Sequence, residues 1–289
     1  MTAPSTPPGG WFQAPTCGSL GLSLEMRMRN TARQLGSGES KEARAWLRID
    51  LRAYRRGELV YSNADFGRVP AGGTLAVREA DFPISRGSEA DPEDELLLVA
   101  RTHAEGAKET FFSQEHQLVY LHWPSGAQAH LLYDQQPARP RSAPAAPIVF
   151  MMPKIWLGPQ LNTYVIVCNA WDAEAPQRQT EPVKFSLLDE RGGEVCAWEH
   201  RFFYNEAKAF DLGRRSAGIA AALTEPRFFN LVGRGGAGSF VLFAVIRNTK
   251  SNHFAIEHSL PPLYYMDGAI GPVRAQGCDV SLFERGESR

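Results

Sequence analysis

The sequence predicts an all-β protein: two tandem antiparallel β-sandwiches related by internal duplication, with one short helix in the second. Three observations carry this. Apolar residues alternate with polar ones over many short runs. Gly, Pro and Asn turn signals separate those runs. And one stretch occurs twice: residues 111–127 and 253–269 align without a gap, so that Phe112 meets Phe254, Glu115 meets Glu257, His116 meets His258 and Gly126 meets Gly268. Repetition of this kind decides the architecture before any local feature does.

Composition bounds the function classes. The 289 residues are 43% hydrophobic and 22% charged, enough for a proper core, and natural for two domains of common size. A formal net charge of −1 with no basic stripe gives phosphate backbones or anionic membrane nothing to hold, so neither is an expected partner. No apolar run reaches the length a spanning helix needs, about 18 residues. The N-terminal Met-Thr-Ala-Pro-Ser-Thr-Pro-Pro lacks the charged and apolar regions of a signal peptide. Cys17, Cys168, Cys196 and Cys278 stand far apart with no C-x-x-C spacing, which reads as free thiols in a reducing compartment. A cytoplasmic location is the expectation.

Taken in order, residues 1–17 are rich in Pro, Thr and Gly and read as a disordered lead. The first sandwich is assigned to 18–133. It opens on a period-2 strand, Leu20 to Met28 on one face, that ends at Asn30. A strand over about 45–54, a turn at Arg55-Arg56-Gly57-Glu58, a return strand, and an acidic loop over 85–95 follow. Leu96 to Thr102 is nearly all apolar, as a strand covered on both faces should be. A Pro-rich linker is assigned to 134–159, a second sandwich to 160–276 and a tail to 277–289. In the second half Tyr164–Asn169 matches Met26–Asn30, and Arg191-Gly192-Gly193 matches Arg56-Gly57. Phe240 to Ile246 answers Leu96 to Ala100, and Arg214 to Leu223 is the one helical stretch. Gly233 to Gly238 fits G-x-G-x-x-G by letter but precedes a strand, so it reads as a flexible loop and not a dinucleotide site.

The repeated strand holds the candidate chemistry. In extended chain Phe112, His116 and Leu118 share a face, as do Phe254, His258 and Leu260, while Glu115 and Glu257 point the other way. A histidine so flanked reads first as a buried, neutral, hydrogen-bonded ring; a ligand or acid–base role is the alternative. Arg101 and Arg247 end the preceding apolar strands, and a hairpin in each half would set Arg101 against Glu115 and Arg247 against Glu257. The functional alternative for these arginines is an anionic ligand. Trp123 stands at a loop position matching Tyr265, with Tyr264 just before, and such aromatics either cap a sandwich or offer a platform to a flat apolar face such as a sugar ring. A metal held by His103, His116 and His122 is conceivable only in a regular barrel, so no metal and no cofactor are assigned.

The run Val165-Ile-Val-Cys-Asn169-Ala-Trp-Asp, the strand Val183 to Leu188, the Gly turn, and the strand from Phe240 through Arg247 to Glu257 are similar to the sensory rhodopsin transducer family. The resemblance spans about one repeat and implies a small β-sandwich associated with oligomerisation and with small-molecule or carbohydrate binding. This chain departs from it in being duplicated and in carrying Glu257-His258, and no site residue is carried over. The expected function is a non-catalytic module binding a polar small molecule, glycans included, or a protein partner. The alternative is an enzyme that uses the Glu115-His116 or Glu257-His258 positions or a bound metal.

Overall fold

The computed structural model describes residues 11–30, 46–84, 91–105, 114–123, 125–133, 148–169, 179–180, 182–235, 240–259 and 263–264. The described chain is all-β. Its first half holds β1 (Trp11–Pro15), β2 (Leu22–Asn30), β3 (Trp46–Arg55), β4 (Glu58–Val69), β5 (Thr74–Arg78), β6 (Asp94–Glu95), β7 (Leu97–Glu105), β8 (Gln114–His122) and β9 (Ala127–Tyr133). Its second half holds β10 (Ile148–Leu157), β11 (Leu161–Asn169), β12 (Val183–Leu188), β13 (Glu194–His200), β14 (Glu206–Asp211), β15 (Arg227–Gly235), β16 (Phe240–Asn248), β17 (Phe254–His258) and β18 (Leu263–Tyr264). Two short helices, α1 (Leu212–Arg215) and α2 (Ala217–Ala222), precede β15.

These strands form four antiparallel sheets. In the first sandwich the orders are β1-β7-β3-β4 and β5-β2-β8-β9; in the second they are β18-β10-β15-β12-β13 and β6-β14-β11-β16-β17. With the two-residue strands β6 and β18 set aside, the two halves have one strand order. Each strand of β1-β7-β3-β4 has its counterpart in β10-β15-β12-β13, and β5-β2-β8-β9 corresponds to β14-β11-β16-β17.

Packing follows the alternation of each strand. Leu22, Leu24, Met26 and Met28 of β2 turn inward onto Leu47, Ile49 and Leu51 of β3. In the second sandwich Phe150, Phe185 and Leu231 meet Val165, Val167 and Leu242. The sheet containing β11 and β16 is covered on both faces. Val165, Val167, Leu242 and Ala244 face the second core, while Ile166, Cys168, Val241, Phe243 and Val245 join the first. A buried aliphatic or aromatic side chain contributes about 1.5–3 kcal/mol, so this shared sheet binds the two sandwiches firmly together. A polar contact adds to it: β6, from the first half, pairs with β14 of the second.

Several sequence expectations need correction. Residues 11–15, read as disordered lead, form β1, because Phe12 and Ala14 are buried in the first core. Residues 148–157, read as linker, form β10, with Phe150, Met152, Ile155 and Leu157 buried. Asp94 and Glu95, read as loop, form β6; Glu95 is almost fully buried but accepts bonds from Thr16 Oγ1 and the Ser19 N–H, which satisfies its charge. The single helix is two, broken at Ser216, whose hydroxyl donates to Leu212 O at 2.6 Å. Gly233 is in strand β15, not a loop, and faces the ring of Phe150. The repeated windows fall on strands that are not counterparts. β8 lies between β2 and β9, whereas β17 is at a sheet edge and corresponds to β9. Strand order is set by pairing between distant segments, which a local match does not fix.

A charged cleft at the junction as the candidate functional site

The site begins at the β3–β4 turn. Arg56 (φ 50°) and Gly57 (φ 80°) are both left-handed, the geometry of a two-residue hairpin that favours Asn-Gly. Gly57 is required here. A Cβ on it would lie 2.8 Å from both Phe203 Cβ and Tyr204 O, and its N–H donates to Asn205 O at 3.1 Å. The first sandwich thus presses its turn onto residues 203–205 of the second. Arg56 has no such excuse for its backbone, which costs about 1 kcal/mol for a residue with a Cβ. Its guanidinium lies 5.8 Å from the Phe203 ring centroid, and its Nε is 3.8 Å from Asp94 Oδ2.

A cleft of about 310 Å³ opens beside this turn. Its described lining comes from both sandwiches and is almost wholly polar: Arg56, Asp91 and Asp94 on one side, Gln179, His200 and Glu206 on the other. Glu206 forms the floor. One carboxylate oxygen accepts the Phe203 N–H at 2.5 Å and the other faces His200 Nε2 at 3.3 Å. Because a carboxylate only accepts, the imidazole donates from Nε2, which in the neutral ring leaves Nδ1 as an acceptor. The ring is held edge-on to Phe202, centroids 4.5 Å apart.

The acidic wall is neutralised from across the junction. Lys208 Nζ lies 2.6 Å from Asp91 Oδ2 and 2.9 Å from Asp94 Oδ1, and Arg215 Nη2 reaches both oxygens of Glu93 at 2.8 and 3.1 Å. The hydrogen bond from Lys208 holds the Asp91 carboxyl below its ordinary range. Burial pulls the Lys208 ammonium down, but the bonds to Asp91 and Asp94 outweigh it and leave the group raised.

The residues singled out from sequence are scattered. Arg101 is on β7 and Glu115 on β8, in different sheets, so the two strands do not form the expected hairpin. In the other half β16 and β17 do form a hairpin, but Arg247 lies opposite Phe254 and Glu257 opposite Ala244. Glu257 instead meets Lys154 at 3.4 Å, and Arg247 donates to Asn252 Oδ1 at 2.8 Å. His258 is half-buried with Nδ1 2.8 Å from Ser259 O. The side chains of Glu115, His116 and Tyr264, and the whole of Tyr265, lie outside the described residues. Trp123 is 81% exposed at the β8–β9 turn.

His122, the residue before Trp123, contacts Arg247. That buried ring faces the Arg247 guanidinium at 3.3 Å and the Asn252 amide at 3.1 Å through Nε2, and Ser125 Oγ at 2.9 Å through Nδ1. The Asn252 amide nitrogen is also 3.4 Å from Nδ1, but the guanidinium of Arg247 only donates, so Nε2 accepts and Nδ1 carries the hydrogen. Ser125 therefore has no base in His122. His103 is in another sheet, bonded to Asp50 at 2.7 Å. Among the described residues no three His, Cys, Asp or Glu side chains are placed to hold a metal ion. Cys17 and Cys168 are buried free thiols whose pKa burial raises well above the ordinary value, which leaves them inert. Cys196 is also free, and Cys278 lies outside the described residues. Among the described residues no helix is long and apolar enough to cross a membrane.

Sequence reading saw the Arg56-Gly57 turn only as a turn and the 91–94 stretch only as a loop. His200, Glu206 and Lys208 carried no signal, because what joins them is the contact between the sandwiches.

No family model matches this chain, and no curated protein matches it. Among solved structures it is similar to a glycosyl hydrolase family 2 member from Bacteroides cellulosilyticus, at 9% identity over 88% of this chain and 26% of that one, TM-score 0.20. It is also similar to a lectin from Pleurotus ostreatus in complex with GalNAc, at 10% identity over 90% of this chain and 80% of that one, TM-score 0.21. A calcium binding mutant of Bacteroides uniformis β-glucuronidase 2 gives 9% identity, 88% and 26% coverage, and TM-score 0.19. The chain spans about a quarter of the two bacterial chains. Likenesses at this level carry no function across.

Proposed function

We propose that this chain is a non-catalytic tandem β-sandwich module that binds a polar small molecule in the junction cleft. The observation that carries the reading is the cleft's make-up. Polar side chains from two sandwiches converge on one concavity whose volume is near the lower end of small-molecule sites, about 300–1,000 Å³. Such a lining favours a hydroxylated or charged ligand over an apolar one, since an apolar ligand would strip water from these groups without replacing its bonds. The shared strand order supports reading the sandwiches as a duplicated unit packed as a pseudo-dimer, with the site at the contact between its halves. The enzymatic alternative draws no support from Glu257 and His258, which lie apart from the cleft's described lining.

The test is a panel of sugars, polyols and small organic acids titrated calorimetrically into the parent and into Gln179→Trp. Gln179 is on the exposed rim, so the indole fills the cleft without disturbing the core. Binding to the parent that is lost in the variant, at unchanged melting temperature, is the expected result. Binding equal in both proteins would place the site elsewhere.

A further inference from the structure

The groups of the cleft that remain open are not the carboxylates. Asp91 and Asp94 are taken by Lys208, Glu93 by Arg215, and Glu206 by the Phe203 N–H and His200. What stays available is the Arg56 guanidinium, whose nearest carboxylate oxygen is 3.8 Å away, and two side-chain groups with no partner among the described residues, His200 Nδ1 and the Gln179 amide. Arg56 also sits in a left-handed conformation that Asn or Gly would adopt without strain. Backbone strain of that kind collects where a side chain serves a site.

Resting on the cleft reading above, we infer that the ligand is a small polyhydroxylated carboxylic acid. The Arg56 guanidinium takes its carboxylate, and His200 Nδ1 accepts from a ligand hydroxyl. A planar fork of N–H donors matches a carboxylate two bonds at a time. In its neutral form the imidazole, held by Glu206 with Nε2 as donor, presents a lone pair that only a donor such as a hydroxyl satisfies. Gln179 offers both a donor and an acceptor for further hydroxyls. The Phe203 ring beneath Arg56 holds the guanidinium in place by a cation–π contact.

The experiment compares three probes by calorimetry: gluconate, sorbitol (the same hydroxyl chain without the carboxylate) and hexanoate (the carboxylate without hydroxyls). The parent is expected to bind gluconate at least tenfold more tightly than either of the others. Arg56→Asn should bring gluconate down to the level of sorbitol while the melting temperature holds or rises, because Asn suits the turn. Arg56→Lys, which keeps the charge but not the fork, should lose a smaller factor. Sorbitol binding as tightly as gluconate would overturn this inference and leave the cleft reading standing. So would gluconate affinity unchanged in Arg56→Asn. No gluconate binding to the parent also overturns the inference. Failure of Gln179→Trp to weaken any ligand of the wider panel overturns the cleft reading itself.

Discussion

Lys208 of the second sandwich reaches Asp94 of the first, Nζ to Oδ1 2.9 Å, with the two side chains only 8% and 4% exposed. A pair so far out of water contributes little over an apolar substitute, because each ion gives up its hydration. Breaking it is another matter, since Asp94 is left buried with only the more distant Arg56 guanidinium, 3.8 Å away, to face it. Lys208→Ala is expected to lower unfolding stability by about 3 kcal/mol in urea titrations. Lys208→Met combined with Asp94→Leu should recover most of that loss. A single variant as stable as the parent would mean that Asp94 finds water when Lys208 is gone.

Stability should fall at both ends of the pH scale, for opposite reasons. Hydrogen bonds from Arg78 and Arg27 hold Glu25 below its ordinary value of 4.5, and the bond from Lys208 holds Asp91 below 3.8. A depressed carboxyl contributes stability that is present above its unfolded pKa and lost as pH falls through the folded one. Lys208 is raised above 10.5, so its contribution is present below that value and lost as pH rises through the folded pKa. Thermal melts should drop below about pH 4.5 and, on the basic side, from about pH 9, where Cys17 and Cys168 ionise in the unfolded chain but stay protonated in the fold, with a further drop above about pH 10.5 from Lys208. Glu25→Gln should shrink the acid-side drop. A Glu25→Gln profile that matches the parent's would remove Glu25 from this account.

Trp123 is a different case. At 81% exposure its ring has little contact to lose, so Trp123→Ala should change stability by less than about 0.5 kcal/mol. A substantial loss, read by denaturant midpoint, would show that the ring covers something in solution.

Gly233 should tolerate no side chain. A Cβ there would sit 2.1 Å from Phe150 Cε2, and that ring is wedged against Phe240 and Phe185 with centroids 5.1 and 5.8 Å away. Overpacking a core this closed costs about 1–3 kcal/mol, and Gly233→Ala is expected near the upper figure. Phe150→Leu in the same chain should relieve part of it. An unchanged midpoint for Gly233→Ala would mean that the ring moves freely.

What the sequence discloses and what it hides divide along one physical line. The all-β class was legible because alternation is local: Leu22 to Met28 shows its buried face in the residues themselves. The turns at Arg56-Gly57 and Gly192-Gly193 were legible for the same reason. Pairing between distant strands leaves no local mark, so β8 was matched with β17 when its counterpart is β16. The cleft was hidden for that reason too. Arg56, Asp94 and Lys208 meet only because two sandwiches pack together, and no spacing in the chain announces it.

One feature common to both halves was visible in the sequence and has a definite function in the fold. Asn30 ends β2 and Asn169 ends β11, and both are completely buried. Asn30 Nδ2 donates to Val69 O at 3.0 Å, and Asn169 Nδ2 donates to Phe203 O at 3.1 Å. Each amide thus ties its strand to the chain that follows the next hairpin of the other sheet. The backbones agree: Asn30 O accepts from the Gly72 N–H at 2.8 Å, and Asn169 O from the Asn205 N–H at 2.7 Å. Replacing either by Ala removes the donor and strands a buried carbonyl, at a cost of about 1–3 kcal/mol. Asp should be worse than Ala at both positions, because it turns an acceptor toward a carbonyl oxygen and buries a charge. Urea midpoints of Asn30→Ala, Asn169→Ala and the two Asp variants are expected to fall in that order. Because Asn169 also orders the 203–205 segment under the cleft, its Ala variant should weaken ligand binding while Asn30→Ala does not. Equal binding losses in the two variants would show that the segment is held by the β3–β4 turn and not by this amide.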